Sequence, residues 1–109
     1  MTLTKEQVKL LQLLNVCPTK LRKQLLQKIQ IHCIKAICEC CLNTLKGNVP
    51  LSKHQKKSLS KYKETLRKLA DRKIALVKKR KLIVQKGGFL NVLIPAALSV
   101  LTGLVNGTR

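Results

Sequence analysis

The chain has 109 residues, and its 23 Lys and Arg face only four acids, giving a net charge of +19 at pH 7. A small domain stays soluble with about +2 to +8, so the excess calls for a polyanionic partner, nucleic acid or an anionic membrane. Tyr62 and Phe89 are the only Phe, Tyr or Trp residues, which gives poor support to modules that stack bases on aromatic platforms.

The charge is unevenly placed: residues 1–46 carry +6, residues 47–86 carry +12 and residues 87–109 carry +1. From the N-terminus, Thr4 and Gln7 stand in capping-box spacing ahead of Val8, Leu10, Leu11 and Leu14. This predicts a first helix over residues 5–15. Cys17-Pro18 breaks the pattern, and Thr19 is expected to cap a second helix with Leu21, Leu25, Leu26 and Ile29 on its apolar face. A third helix, over 33–46, shows the cleanest period, with Ile34, Ile37, Cys38, Cys41, Leu42 and Leu45 inward and Gly47 as its C-terminal stop.

After Pro50, Ser52 and Gln55 repeat the capping-box spacing. They open a fourth helix, through about Ala70, with the inner stripe Leu59, Tyr62, Leu66 and Leu69. The fold class expected is therefore all-α, a small bundle of about four short amphipathic helices over residues 1–71. Residues 72–86 alternate poorly for a strand and fit a helix poorly, and read as a basic arm ordered when its cations are neutralised. Residues 87–109 read as a Gly-Gly hinge followed by an apolar tail at the lower length bound of a membrane span, interrupted by Asn91, Pro95, Ser99 and Thr102.

Five cysteines are present, four of them within residues 33–41, and "MTLTKEQV" ahead of them reads as a helix start and not as an export signal. An odd count of crowded helical cysteines favours free thiols in a reducing compartment, cytosol or nucleus. His32, Cys33, Cys38, Cys40 and Cys41 are metal-ligand candidates by residue type. They lack the paired-knuckle spacing of zinc sites, so no metal or cofactor is expected; Cys38 and Cys41 read as core, Cys40 as outward-facing.

Lys53, Lys57 and Lys61 fall at successive i, i+4 steps, a row that serves either as a solvated face or as a set of phosphate contacts. The overall charge favours phosphate. Lys53, Lys56, Lys57, Lys61, Lys63, Arg67 and Lys68 on the fourth helix, with Arg72, Lys73, Lys78, Lys79, Arg80 and Lys81 in the arm, are assigned contact with double-stranded DNA through its backbone, not its bases. A helix-turn-helix regulator built on the second and third helices is the weaker option, because residues 33–46 offer Lys35, Glu39 and Cys40 where base readout needs Arg, Asn and Gln. No catalytic constellation is found, and no enzyme is expected.

"VQKGGFLNVLIPAALSVL", Val84–Leu101, resembles the adenovirus core protein X (mu) precursor family, in which a basic segment meets Gly-Gly-Phe-Leu and a proline-interrupted apolar tail. Together with "CIKAICECCLNTLKGNVPL", Cys33–Leu51, the chain is similar to the small core-type proteins of adintoviruses and Maverick or Polinton elements. The resemblance implies a virion core protein that condenses packaged DNA, found in the virion core and the host nucleus. It also implies cutting by a viral cysteine protease at Gln85-Lys86-Gly87-Gly88, before Phe89, although Gln85 departs from the bulky apolar residue that such proteases favour there.

The uncharged tail is expected to contact membrane or capsid protein through Phe89, Leu90, Leu93, Ile94 and Leu98. A membrane-active protein, with cations on acidic head groups and the tail inserted, is the main rival reading. Deleting residues 89–109 separates the two, unless the tail is the last helix of the core, in which case the deletion unfolds the bundle.

Overall fold

The computed structural model describes residues 3–106, with side chains through Leu101; residues 1–2 and 107–109, the outer ends of the first and last expected regions, lie outside the described residues. The described chain is all-α. Its helices are α1 (Lys5–Val16), α2 (Thr19–Lys28), α3 (Ile31–Leu45), α4 (Lys53–Ser60), α5 (Lys63–Ala70), α6 (Leu76–Gln85) and α7 (Leu90–Asn106), with a 3-10 turn at Gly87–Phe89 before α7. The radius of gyration is 13.0 Å, the value of about 13 Å that a folded domain of this length has when no part of it trails away.

Local signals set three of the helix ends. The Thr4 hydroxyl accepts from the Gln7 amide at 3.1 Å while the Gln7 side chain accepts from the Thr4 amide at 2.9 Å, closing the box on α1. Ser52 and Gln55 do the same on α4. Gly47 adopts φ +81°; its amide donates to Thr44 O and the Asn48 amide to Asn43 O, which satisfies two terminal carbonyls of α3. At α2 the cap falls on Pro18, with no side-chain cap bond, so Thr19 is the first helical residue and not the cap.

The expected fourth helix is two helices. The Ser60 hydroxyl turns back to Lys57 O at 2.6 Å, a local bond that competes with the helical ladder, and Tyr62 leaves the helical region at φ −109°, ψ 16°. This break turns the Tyr62 ring onto Phe89, with centroids 6.0 Å apart and planes inclined at 52°. Leu59, Leu66 and Leu69 are buried as the stripe required, with Tyr62 half-buried.

α3 is the central helix, packed against α5, α6, α7 and α1. Cys33, Ala36 and Cys40 are buried along with Ile34, Ile37, Cys38 and Cys41, so α3 is covered nearly all round. Two expectations change here: Cys40 is interior at 1 % exposure, and Leu45 is on the surface at 40 %. On α2, Leu21 is likewise exposed, and Arg22 takes an interior place with Leu26.

The division into bundle, arm and tail does not survive. One apolar cluster contains Leu11 and Leu14 of α1, Ile34 and Ile37 of α3, Ile83 of α6, and Phe89, Leu90, Leu93, Ile94, Ala97, Leu98 and Leu101 at the chain's end. Residues 76–85 of the supposed arm are a helix lying on α2 and α3. Phe89, Leu90, Leu93, Ile94 and Leu98, expected to meet membrane or capsid, are instead the interior of the protein. The physical reason is area: α7 covers the inner face of α1 and part of that of α3, and without it much of the apolar cluster would face water. Among the described residues no single helix is long and apolar enough to cross a membrane; α6 and the following helical run reach that length and hydropathy only as a pair bent by 78°.

Candidate nucleic-acid interface

The break at Lys61–Tyr62 divides the lysine row. Lys53, Lys56 and Lys57 stand on α4, Lys63, Arg67 and Lys68 on α5, and Lys61 at the junction, all of them exposed. Arg72 and Lys73 follow on the connecting loop, also exposed. There the Asp71 carboxylate accepts from the Lys73 amide at 2.9 Å, folding the loop back toward α6.

On α6 the four consecutive cations part company. Lys78 and Lys81 face solvent. Lys79 is buried at 6 % exposure, and Arg80 is half-buried with its guanidinium donating to Leu26 O at 2.9 Å. Leu26 lies in the last turn of α2, where carbonyls lack helical partners, so Arg80 closes that end and favours its dipole. Arg80 is thus corrected from a free phosphate contact to a residue committed to the fold, and Lys79 is withdrawn from the outer face that a duplex backbone can reach. Positions 79 and 80 fall on the side of α6 turned toward the fold, and 78 and 81 on the side turned away.

The fold also supplies cations that the sequence reading passed over. α2 packs along α6, and the exposed Lys20, Lys23 and Lys28 of α2 join Lys78 and Lys81 on neighbouring helices. A shallow groove between the two is lined by Gln27, Arg80, Lys81, Val84 and Gln85. The signal was present in the very polar outer face of residues 19–28, but only the packing of α6 on α2 places it beside the second basic set.

Arg22 ties this region to the core helix. It is buried, and its Nη1 donates to Asn91 Oδ1 of α7 at 2.8 Å, while its Nε has no partner. The expected protease site sits at this corner. Gln85 and Lys86 are exposed and Gly87–Phe89 form the 3-10 turn, but Phe89 is fully buried. A Cβ added to Gly88 would stand 2.7 Å from the Tyr62 hydroxyl oxygen, so the second glycine is a close-approach position and not a hinge.

The five cysteines are unpaired and buried, which removes the outward thiol expected at Cys40. Burial pushes the Cys38 thiol up to about 11, against the pull of Lys79. Burial, followed by the charge of Glu39, pushes Cys40 to about 12. Cys41 is raised well above the ordinary thiol value, again chiefly by burial. Among the described residues no group of three or more His, Cys, Asp or Glu side chains is placed to hold a metal ion.

Comparisons with family models, with curated proteins and with solved structures return no match to this chain.

Proposed function

We propose that this protein binds double-stranded DNA without regard to sequence and neutralises it, as a genome-condensing protein of the virion-core kind that the sequence resemblance implies. The observation that carries the reading is the separation of charge from apolar surface. Eleven of the thirteen cations assigned to phosphate are exposed, on α4, α5, the 71–75 loop and α6, while the apolar end of the chain is spent on the core. Exposed Lys and Arg without a row of base-reading side chains give affinity through counterion release and little discrimination.

Two rivals lose ground on specific observations. The membrane reading needs Phe89, Leu90, Leu93, Ile94 and Leu98 free to insert, and these side chains are interior. The helix-turn-helix reading needs α3 in a major groove, yet its exposed residues are Ile31, Lys35 and Leu45. Processing before Phe89 requires the 3-10 turn to open, since a protease cleft takes several residues of extended chain; cutting is therefore coupled to local unfolding of the α6–α7 corner.

The test is binding of the intact chain to two duplexes of unrelated sequence across a salt series. Equal affinities that fall steeply with salt support the proposal. A strong preference for one duplex, or weak binding at low salt with tight binding to anionic vesicles, overturns it.

A further inference from the structure

A cleft of about 520 Å³ opens between α3, the end of α5 and the loop leading into α6, within the range of about 300–1,000 Å³ in which small ligands are held. Its charged lining is Lys35, Glu39, Arg72 and Lys79, and its apolar wall includes Leu69 and Ile74. Lys79 is the unusual member. Its side chain is buried to 6 % exposure, yet its ammonium opens onto the cleft and meets no side-chain hydrogen bond or ion pair among the described residues, with Cys38 among the residues that line the cleft with it. An ammonium carried on buried methylenes, open to a cleft and without a protein partner, is a ready contact for an anion.

Three cations against one carboxylate leave the cleft two charges in excess, the complement of a dianion. We propose that the cleft is a binding site for a phosphate monoester, with Lys79 as the inner contact, Arg72 and Lys35 at the rim, and Leu69 and Ile74 against the organic part. This goes beyond backbone binding on the outer helices. A phosphodiester within an unbroken duplex carries one charge and is held on both sides by sugars, whereas a terminal monoester carries nearly two and can enter. The monoester can come from a free nucleotide or from the 5′ end of a DNA strand.

The test uses the intact chain at about 0.15 M salt, with adenosine monophosphate as probe, adenosine as its uncharged counterpart, and a short duplex with or without 5′-phosphates. Saturable binding of one adenosine monophosphate per chain is expected, with adenosine at least about tenfold weaker, as expected for loss of charge-assisted hydrogen bonds. Lys79→Met should lower the affinity by a similar factor and Arg72→Met by less, while Lys9→Met, exposed on α1 and outside the cleft, leaves it unchanged. Because Lys79→Met alters a buried position, the exposed Arg72→Met keeps the test decisive if the first variant fails to fold. A duplex preference for 5′-phosphates assigns the monoester to a DNA end; equal duplex affinities assign it to a free nucleotide. Binding that never saturates, adenosine as tight as its monophosphate, or equal losses in Arg72→Met and Lys9→Met overturns the proposal. Failure of duplex binding alone, with saturable nucleotide binding intact, removes the condensing role and leaves this site standing.

Discussion

Helices α4 and α5 and helix α7 are opposites made from one chain. Residues 53–70 hold seven cations and one acid, and bury Leu59, Thr65, Leu66 and Leu69. The segment from Phe89 to Leu101 has no charge at all, and seven of its apolar side chains lie in the core. Read along the sequence, the contrast suggests two jobs, a polycation and an anchor. In space it is one job divided between outside and inside: α7 supplies the apolar area that lets a strongly cationic shell stay folded against its own repulsion.

The hardest way to break that division is to remove the inner half. Ending the chain at Gly88 strips seven apolar residues from the core. Large core truncations cost about 2–5 kcal/mol each, against a total stability of about 5–15 kcal/mol for a domain. The truncated chain should lose cooperative thermal unfolding and most of its helical circular dichroism. A cooperative melt in that variant would return α7 to the role of a separable tail.

Phe89→Ala is a gentler version, expected to cost about 3–5 kcal/mol because the ring is fully buried against Tyr62. It should also hasten proteolytic cutting around Gly88 in proportion to the more frequent opening of the turn. Gly88→Ala tests the same corner from the other side. The added methyl meets the Tyr62 hydroxyl, an overpacking cost of about 1–3 kcal/mol, and the Tyr62→Phe background should recover most of it by removing the clashing oxygen. No recovery in the double variant would mean that Gly88 is constrained by something other than Tyr62.

The interior also has a pH signature. Cys38 and Cys40 keep their protons to about 11 and about 12 when folded, against 9.0 when ordinary. The native state therefore binds more protons than the unfolded chain above pH 9. That stability is fully present below about pH 9 and is lost as pH rises through the folded values. Chemical denaturation midpoints measured from pH 8 to 11 should fall, and Cys38→Ala and Cys40→Ala should flatten the decline. The outer shell gives the smallest effect on folding: Lys57→Gln should change stability by less than about 0.5 kcal/mol, while lessening the salt slope of duplex binding by about 0.9 if Lys57 meets a phosphate.

How much of this was legible in the sequence differs between the same two regions. The outer helices announced themselves, because Thr4, Gln7, Ser52 and Gln55 are local signals and the Leu59, Leu66 and Leu69 stripe sits under an unbroken polar face. Helix α6 was hidden by its own Lys79. The stripe Leu76, Lys79, Ile83 has helical spacing, but a lysine occupies an inner position and cancels the apolar period. α7 was misread for the opposite reason, since a run with no polar face looks the same whether lipid or protein covers it. The same all-round apolarity concealed Cys40 in α3. The close approach of Gly88 to Tyr62 joins positions 26 residues apart in number and has no local signature at all. Of the interface, the residue types were readable; which cations turn inward was not, because that depends on the axis about which α6 rolls onto α2 and α3.

The most direct measurement is the salt dependence of duplex affinity for the intact chain, taken on two unrelated sequences. If about six to eight exposed cations displace counterions, log K should fall against log salt with a slope of about −5 to −7 on both duplexes alike. A slope near zero, or affinities that differ severalfold between the two sequences, would contradict the assignment of the cationic shell to the DNA backbone.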